Sequence, residues 1–144
     1  MKSYFPDINV WVALTYGSHR QHVIAASWFD RLTSQTAGFC RLTQLSFLRL
    51  LTQPAIMQDE VKTQREAWKV YDQLCDDSHV TFYPERNSGA IESEFRALTT
   101  TTQFAPQQWP DAYLAAFAKA EGLVLVTLDR ALSKLAGETA LLLR

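Results

Sequence analysis

The sequence predicts an α/β fold, a three-layer α/β/α sandwich in which a central parallel sheet lies between two layers of helices. Short apolar segments of strand length alternate with longer segments of helical periodicity, an order typical of parallel strands connected by helices. Residues 123–127 (LVLVT) are almost entirely apolar, as expected for a strand buried on both faces. The 144 residues, 47% of them hydrophobic, fit a single domain over residues 1–144.

Each predicted strand is short and bounded by polar or turn-forming residues. The first is apolar and ends at Asp7, and the third alternates between apolar and polar residues in HVTFYP, as a strand with one buried face does. The strands are predicted at residues 3–7, 37–40, 79–84, 123–127 and 138–144.

The helices are predicted from apolar periodicity and from residues that begin or end helices. Gly17 and Gly122 suit helix C-termini, Thr43 suits an N-cap and Pro54 a stop, and Pro110 suits a first turn. The helices are predicted at residues 8–17, 19–34, 43–53, 59–77, 88–103, 110–122 and from about 129.

Composition and charge exclude several classes of protein. The formal net charge is −1, which counts against a sequence-independent grip on long duplex nucleic acid. The apolar segments are far shorter than the ~20 residues of a membrane span, and the N-terminus lacks the apolar segment of a secretory signal. Cys40 and Cys75 form no metal-binding pair. We therefore expect a soluble cytoplasmic protein without a membrane partner.

Three aspartates occupy positions at which a parallel sheet binds its ligands. Asp7 ends the first strand, Asp129 follows the LVLVT strand, and Asp111 opens the helix before that strand. Ligands of such folds bind beyond the carboxyl ends of the strands. Each aspartate alone could simply cap a helix. Together they predict a site for Mg²⁺ or Mn²⁺, which can activate water for attack on a phosphodiester.

Four segments of the chain resemble the sequence blocks of PIN-domain ribonucleases, and most closely those of VapC-type toxins. The segments are FPDINVWVAL, CRLTQLSFLRLLTQP, WPDAYLAAFAKAEG and LVTLDRAL. Their order and spacing are more specific than any one of them. The resemblance implies a flavodoxin-like sandwich, Mg²⁺-dependent endoribonuclease activity, a homodimer and a cognate antitoxin that blocks the site.

The resemblance also implies roles for individual residues. Thr127 and Asn9 match polar positions that support the family's acids, and the family's second acid, usually Glu, falls at Gln44, which offers a neutral oxygen. The predicted catalytic residues are Asp7, Gln44, Asp111 and Asp129, and the predicted metal ligands are Asp7, Asp111 and Asp129.

Several further side chains are open to two interpretations. Arg49 could support the site by reaching substrate phosphate, or could lie at the surface with its stem along apolar neighbours. Arg130 and Lys134 could contact phosphates, but a solvated helix face explains them better. The four tryptophans are expected in the core or in interfaces and not as base-stacking platforms. They are Trp11, Trp28, Trp68 and Trp109.

The leading functional hypothesis is an Mg²⁺-dependent endoribonuclease, the toxin of a type II toxin–antitoxin pair. The alternative is a catalytically weak or inactive PIN-like module that binds RNA or protein, an interpretation suggested by Gln44 and the near-neutral charge. A DNA-directed or phosphatase-like metallohydrolase is a third hypothesis. It is weakened because Asn9 stands where an aspartyl-phosphate phosphatase needs a second Asp.

Overall fold

The protein is built around a parallel sheet, seen in a computed structural model that describes residues 2–144. The strands are β1 (Tyr4–Pro6), β2 (Ala37–Phe39), β3 (Val80–Phe82), β4 (Val124–Thr127) and β5 (Ala140–Leu142). They form one five-stranded sheet in the order β3-β2-β1-β4-β5, and every pairing is parallel. The first strand of the chain is therefore at the centre of the sheet.

Helices connect the strands and cover both faces of the sheet, which confirms the predicted three-layer sandwich. None of the helices formed by residues 2–144 combines the length and the apolar character needed to cross a bilayer. Short 3₁₀ turns occupy Gln58–Glu60 and Gly137–Thr139. The helices are α1 (Ile8–Thr15), α2 (His22–Asp30), α3 (Arg41–Leu51), α4 (Pro54–Met57), α5 (Gln64–Cys75), α6 (Ser88–Thr99), α7 (Gln108–Glu121) and α8 (Arg130–Ala136).

Two hydrophobic cores form because successive strand residues point to opposite faces of the sheet. On one face, α1, α2, α3 and α5 pack around Trp11, Phe39 and Phe47. The rings of Trp11 and Phe39 are stacked with centroids 4.1 Å apart. On the other face, α6, α7 and α8 pack around Phe5 and Phe117, whose ring centroids are 4.9 Å apart. Together these cores fix the positions of the strand ends.

Two helix starts differ from the prediction because local capping bonds decide them. Thr43 was expected to be the N-cap of α3, but Cys40 caps that helix and the Thr43 hydroxyl accepts a hydrogen bond from the Cys40 backbone N–H at 3.0 Å. A helix was expected over residues 59–77, but α5 starts only after Thr63. Thr63 and Glu66 form a reciprocal capping box that fixes this start.

Some of the predicted helix ends are confirmed and others are wrong. Gly122 ends α7 in the left-handed conformation at φ 69°, as expected. Gly17 is not a cap, since α1 already ends at Thr15. Pro54 stops α3 but also starts the short helix α4 as its first residue, which the sequence did not predict. The helix predicted over residues 88–103 ends at Thr99, the first residue of its run of threonines.

The carboxyl ends of β1, β2 and β4 lie side by side at one end of the sheet, here called the carboxyl edge. At each end the chain passes directly into a helix: Asp7 caps α1, Cys40 caps α3 and Asp129 caps α8. The N-terminus of α7 lies at the same edge because α7 runs back towards the start of β4. The predicted aspartates therefore share this edge.

Candidate active site

Asp7 is a buried carboxylate at the end of the central strand. Its side chain is 3% exposed. Its backbone N–H donates to the Val126 carbonyl at 2.9 Å, which extends the β1–β4 pairing. One carboxylate oxygen, Oδ1, accepts from the backbone N–H of Val10 at 3.0 Å and so caps α1. The capping bond and the strand register together fix the orientation of this carboxylate.

Thr127 links Asp7 to Asp129. Its hydroxyl donates to Oδ2 of Asp7 at 2.6 Å and accepts from the backbone N–H of Asp129 at 2.9 Å. Thr127 is fully buried, so its hydrogen bond to Asp7 is shielded from water. The structure thus brings Thr127 into contact with the first aspartate, and its supporting role in the site stays a prediction.

In the described residues, only one of the two carboxylate oxygens of Asp129 accepts hydrogen bonds from the protein. Its Oδ1 accepts from the backbone N–H groups of Ala131 and Leu132, at 2.8 and 3.4 Å, and so caps α8. Within residues 2–144, its Oδ2 has no hydrogen-bond donor. The residue is exposed, so this oxygen is open to a ligand.

Asp111 lies in the first turn of α7 and is partly buried. In the described part of the chain its carboxylate accepts no hydrogen bond from protein. Burial raises the pKa of Asp111, and the neighbouring charge of Asp129 raises it further. The carboxylate is therefore partly desolvated beside a like charge and has both oxygens free.

The three aspartates form one electrostatic group centred on Asp7. Burial raises the pKa of Asp7 from 3.8 to about 6; the bonds from Thr127 and Val10 oppose this rise, and the charges of Asp129 and Asp111 add to it. Desolvation and like charge both disfavour the ionised form. A cation placed among these oxygens would relieve both costs, so the donor set fits a hard divalent ion.

Within residues 2–144, the three aspartates are not spaced as a complete set of metal ligands. Within residues 2–144, no group of three or more His, Cys, Asp or Glu side chains is placed to hold a metal ion. Both oxygens of Asp7 are engaged, by Val10 and Thr127, which leaves Asp111 and Asp129 with the free oxygens. The assignment of all three aspartates as metal ligands therefore stays a prediction.

Gln44 lies on α3 and makes its contacts away from the aspartates. It is 8% exposed, and its Oε1 accepts from the Arg41 guanidinium at 2.6 Å. Its side chain is also hydrogen-bonded to Tyr71, whose pKa is raised to about 12, mainly by burial. In the described residues Gln44 has no hydrogen bond to an aspartate. Its catalytic role stays a prediction, and its contacts indicate that it positions Arg41.

The two other predicted supporting residues lie on exposed helix faces. Asn9, in the first turn of α1, is exposed and lines a groove with Val12 and Tyr16. Arg49 is exposed beside Leu45 and Trp68. It comes eight residues after the start of α3, about 12 Å further along the helix axis. This position favours the surface interpretation of Arg49.

Arg41 is a site candidate that the sequence analysis missed. It is the first residue of α3, one residue beyond the end of β2, and its guanidinium lies 4.7 Å from the centroid of the Phe82 ring. Within residues 2–144 it forms no ion pair. The rule that selected Asp7 and Asp129, a polar residue within two positions after a strand, would have selected Arg41 as well.

Comparison with known proteins identifies the family to which this fold belongs. The family model of the PIN domain matches residues 4–138. The chain therefore belongs to the PIN-domain family.

Relatives within that family are VapC proteins of Mycobacterium tuberculosis. Ribonuclease VapC41 is 37% identical over 135 residues, covering 91% of this chain and 92% of that protein. Ribonuclease VapC29 is 31% identical over 143 residues, covering 95% and 93%. The crystal structure of VapC20, a toxin that cleaves the sarcin–ricin loop, matches the fold with a TM-score of 0.64 at 15% identity, covering 92% of this chain and 94% of that chain. The chain is thus of the VapC type.

Proposed function

We propose that this chain is a single-domain, divalent-metal-dependent endoribonuclease that hydrolyses RNA phosphodiester bonds. The observation that carries the proposal is the group of aspartates at the carboxyl edge. Asp7 is joined through Thr127 to Asp129, and the charges of Asp111 and Asp129 both raise its pKa. The ribonuclease names of VapC41 and VapC29 support the same activity.

The proposed metal site consists of Asp7, Asp111 and Asp129. When bound, Mg²⁺ or Mn²⁺ supplies positive charge for the phosphate and lowers the pKa of a water molecule. Asp129 is exposed and Asp111 is partly buried, and their free oxygens suit direct or water-mediated coordination. Asp7 is held rigidly by Val10 and Thr127, so it fixes the negative potential at the back of the site.

Two arginines flank the aspartates and suit the RNA backbone. Arg41 follows β2, and Arg130 follows Asp129 at the start of α8; both are exposed. Within residues 2–144 neither forms an ion pair with a carboxylate. A guanidinium without a protein carboxylate can bind phosphate oxygens in a two-point contact. These residues explain how a chain of near-neutral net charge binds RNA.

We propose further that the protein is the toxin of a type II pair, acts in the cytoplasm as a homodimer, and is blocked by a cognate antitoxin. Support for a protein partner comes from the surface between α3 and α5. Leu45 and Trp68 are 60% and 48% exposed there, and they line a cavity of about 400 Å³. Exposed apolar groups of this kind are typical of protein interfaces.

The test is RNA cleavage by the parent and by matched aspartate variants. We expect the parent and the control Asp72→Asn, on the exposed face of α5, to cut total bacterial RNA with Mg²⁺ and not with EDTA. Asp7→Asn and Asp111→Asn should stay folded and lose cleavage. If both variants cut RNA as well as the parent, the site is wrongly assigned.

A non-catalytic RNA- or protein-binding module is the second candidate. It is favoured by Gln44 at the position of a family acid and by the absence of a closed metal cage within residues 2–144. It predicts RNA binding that EDTA leaves unchanged and no cleavage by the parent under any metal condition.

A further inference from the structure

A small pocket lies between the end of α6 and the start of α7. Its volume is about 200 Å³, below the ~300–1,000 Å³ of pockets that hold drug-sized ligands. The loop of residues 100–107 forms its rim. The lining residues are Thr99, Thr101, Gln103, Ala105, Gln108 and Trp109. We call this the α6–α7 pocket.

The α6–α7 pocket adjoins Asp111, one of the three aspartates. Gln108 and Asp111 are three residues apart on α7, so they share a helix face with Cβ atoms ~5–6 Å apart. The backbone N–H of Gln108 donates to the Ala105 carbonyl at 3.0 Å, which ties the rim of the pocket to the helix start. A nucleotide whose phosphate faces Asp111 could therefore place its base in this pocket.

The lining is uncharged but rich in hydrogen-bonding groups. In the described residues, the side-chain amides of Gln103 and Gln108 have no hydrogen-bond partner in the protein. The Thr99 hydroxyl donates to the Phe95 carbonyl at 2.7 Å, which leaves its oxygen free to accept. Phosphate prefers cations, whereas the edge of a base pairs with amides. The chemistry of the lining fits a base.

Trp109 supplies an aromatic wall. Its side chain is 54% exposed, and its ring meets Phe95 edge-on, with centroids 5.8 Å apart and planes at 66°. Phe104, on the loop of residues 100–107, is fully exposed. Trp11 and Trp28 are buried in the core as the sequence predicted, but Trp109 is not. Its accessible ring can stack on a base.

We propose that the α6–α7 pocket binds one unpaired nucleobase next to the phosphate that is cut, with Trp109 stacking on the base and Gln103 and Gln108 bonding to its edge. The proposal rests on the proposed nuclease function, because it gives that site its substrate contact. Proteins that read RNA sequence bind splayed-out single-stranded bases in this way. An apolar side chain of a protein partner would leave both amides without partners, which is costly.

The experiment measures RNA affinity separately from cleavage. Fluorescently labelled RNA decamers of adenylate, cytidylate and uridylate are titrated in Mg²⁺ buffer with the Asp7→Asn protein, which prevents turnover. Adding Trp109→Ala should weaken the tightest of the three complexes about 5- to 150-fold. Trp109→Phe should restore most of the affinity, since a phenyl ring still stacks. Val23→Ala, a control that removes an exposed apolar side chain on α2, should leave affinity unchanged.

The glutamines test whether the pocket reads the base. Gln103→Leu and Gln108→Leu should change the preference among the three decamers while leaving the salt dependence of binding unchanged, because neither amide contacts phosphate. A loss of affinity shared equally by all three RNAs would instead indicate a contact with the RNA backbone and would overturn the assignment of these residues.

The outcomes separate this proposal from the nuclease proposal. Three results would each overturn the base pocket. They are equal RNA affinity with and without Trp109→Ala, no binding of any decamer, and no rescue of the affinity by Trp109→Phe. Cleavage of RNA by the parent would then still support the nuclease. Conversely, Trp109-dependent binding without any cleavage by the parent would uphold the pocket and reject the nuclease.

Discussion

The carboxyl edge has two halves of opposite character. The acidic half consists of Asp7, Asp111, Thr127 and Asp129, and the basic half of Arg41, Gln44, Tyr71 and Phe82. Each half contains a charged residue that follows a strand or opens a helix, which is Arg41 in the basic half and an aspartate in the acidic half. In the basic half each polar group has a partner, since Arg41 binds Gln44 and lies over Phe82. In the acidic half the carboxylates mainly repel one another.

The difference shows which half is prepared for a ligand. The pKa of Asp7 is raised to about 6 by burial and by its neighbours' charges, so its ionised form is held at an electrostatic cost. Groups perturbed in this way by burial and charge mark functional sites more often than structural ones. We infer that the acidic half binds the cation, while the basic half orients RNA.

The largest expected effect is that of Asp111→Asn on the rate of RNA cleavage. Asp111 offers two free oxygens to the metal, and metal-ion catalysis contributes several kcal/mol to transition-state stabilisation. The cleavage rate should therefore fall about 100-fold or more. Initial rates at saturating Mg²⁺ provide the measurement, with Asp72→Asn as the control. A fall below tenfold would remove Asp111 from the site.

The next effect is a gain in stability from Asp7→Asn in the absence of metal. A raised pKa means that the folded state binds the proton more tightly than the unfolded state. The contribution of Asp7 to the free energy of unfolding is thus fully present below about pH 4. It is lost as the pH rises through about 6. Asn copies the protonated side chain, so at pH 7 the variant should be more stable by up to about 3 kcal/mol.

Urea denaturation in EDTA at pH 4 and pH 7 measures this gain. The difference between the variant and the parent should be largest at pH 7 and small at pH 4. A variant that is less stable than the parent at pH 7 would mean that Asp7 stabilises the fold as a charge, and the contrast between the two halves would be lost.

Thr127→Val tests the link between the aspartates. The substitution keeps the shape of the side chain but leaves Oδ2 of Asp7 buried without its donor, so stability should fall by about 1–3 kcal/mol and the pKa of Asp7 should rise further. Thr52→Val, whose hydroxyl bonds only to helix carbonyls, should cost less than about 0.5 kcal/mol. Equal losses of stability in the two variants would argue against a special role for Thr127.

The smallest effect is expected in the basic half, from Gln44→Glu. The new carboxylate would replace Oε1 of Gln44 as the acceptor for the Arg41 guanidinium, and an oxygen engaged in this pair is not available to the metal. The Mg²⁺ concentration for half-maximal cleavage should therefore change less than about fivefold. A tenfold gain in Mg²⁺ affinity would instead show that position 44 reaches the metal, as the family's Glu implies.

The fold could be predicted because the chain marks its strands and helices locally. The almost entirely apolar residues 123–127 predict a central strand. Gly122 predicts the left-handed end of the preceding helix. Boundaries that depend on side-chain capping were missed. Cys40 is not a typical N-cap, and the bond from its backbone N–H to Thr43 is visible only in three dimensions.

The candidate site was predicted for residues whose position depends on topology alone. Asp7 and Asp129 follow strands, so the parallel sheet brings them to one edge whatever the details. Gln44 lies inside a helix, where one residue turns the side chain by about 100°. It shares the buried face of α3 with Phe47 and Leu51, and no local signal reveals that this face meets Tyr71. The exposure of Trp109 likewise depends on how the loop before α7 folds.

Binding of Mg²⁺ by the folded protein tests the central claim most directly. The thermal unfolding midpoint of the parent is measured with and without Mg²⁺, beside Asp7→Asn and the control Asp72→Asn. A cation that relieves the repulsion among the aspartates should raise the midpoint of the parent and of Asp72→Asn with increasing Mg²⁺, and should leave Asp7→Asn nearly unchanged. Equal shifts in all three proteins, or no shift in the parent, would contradict a metal site in the acidic half.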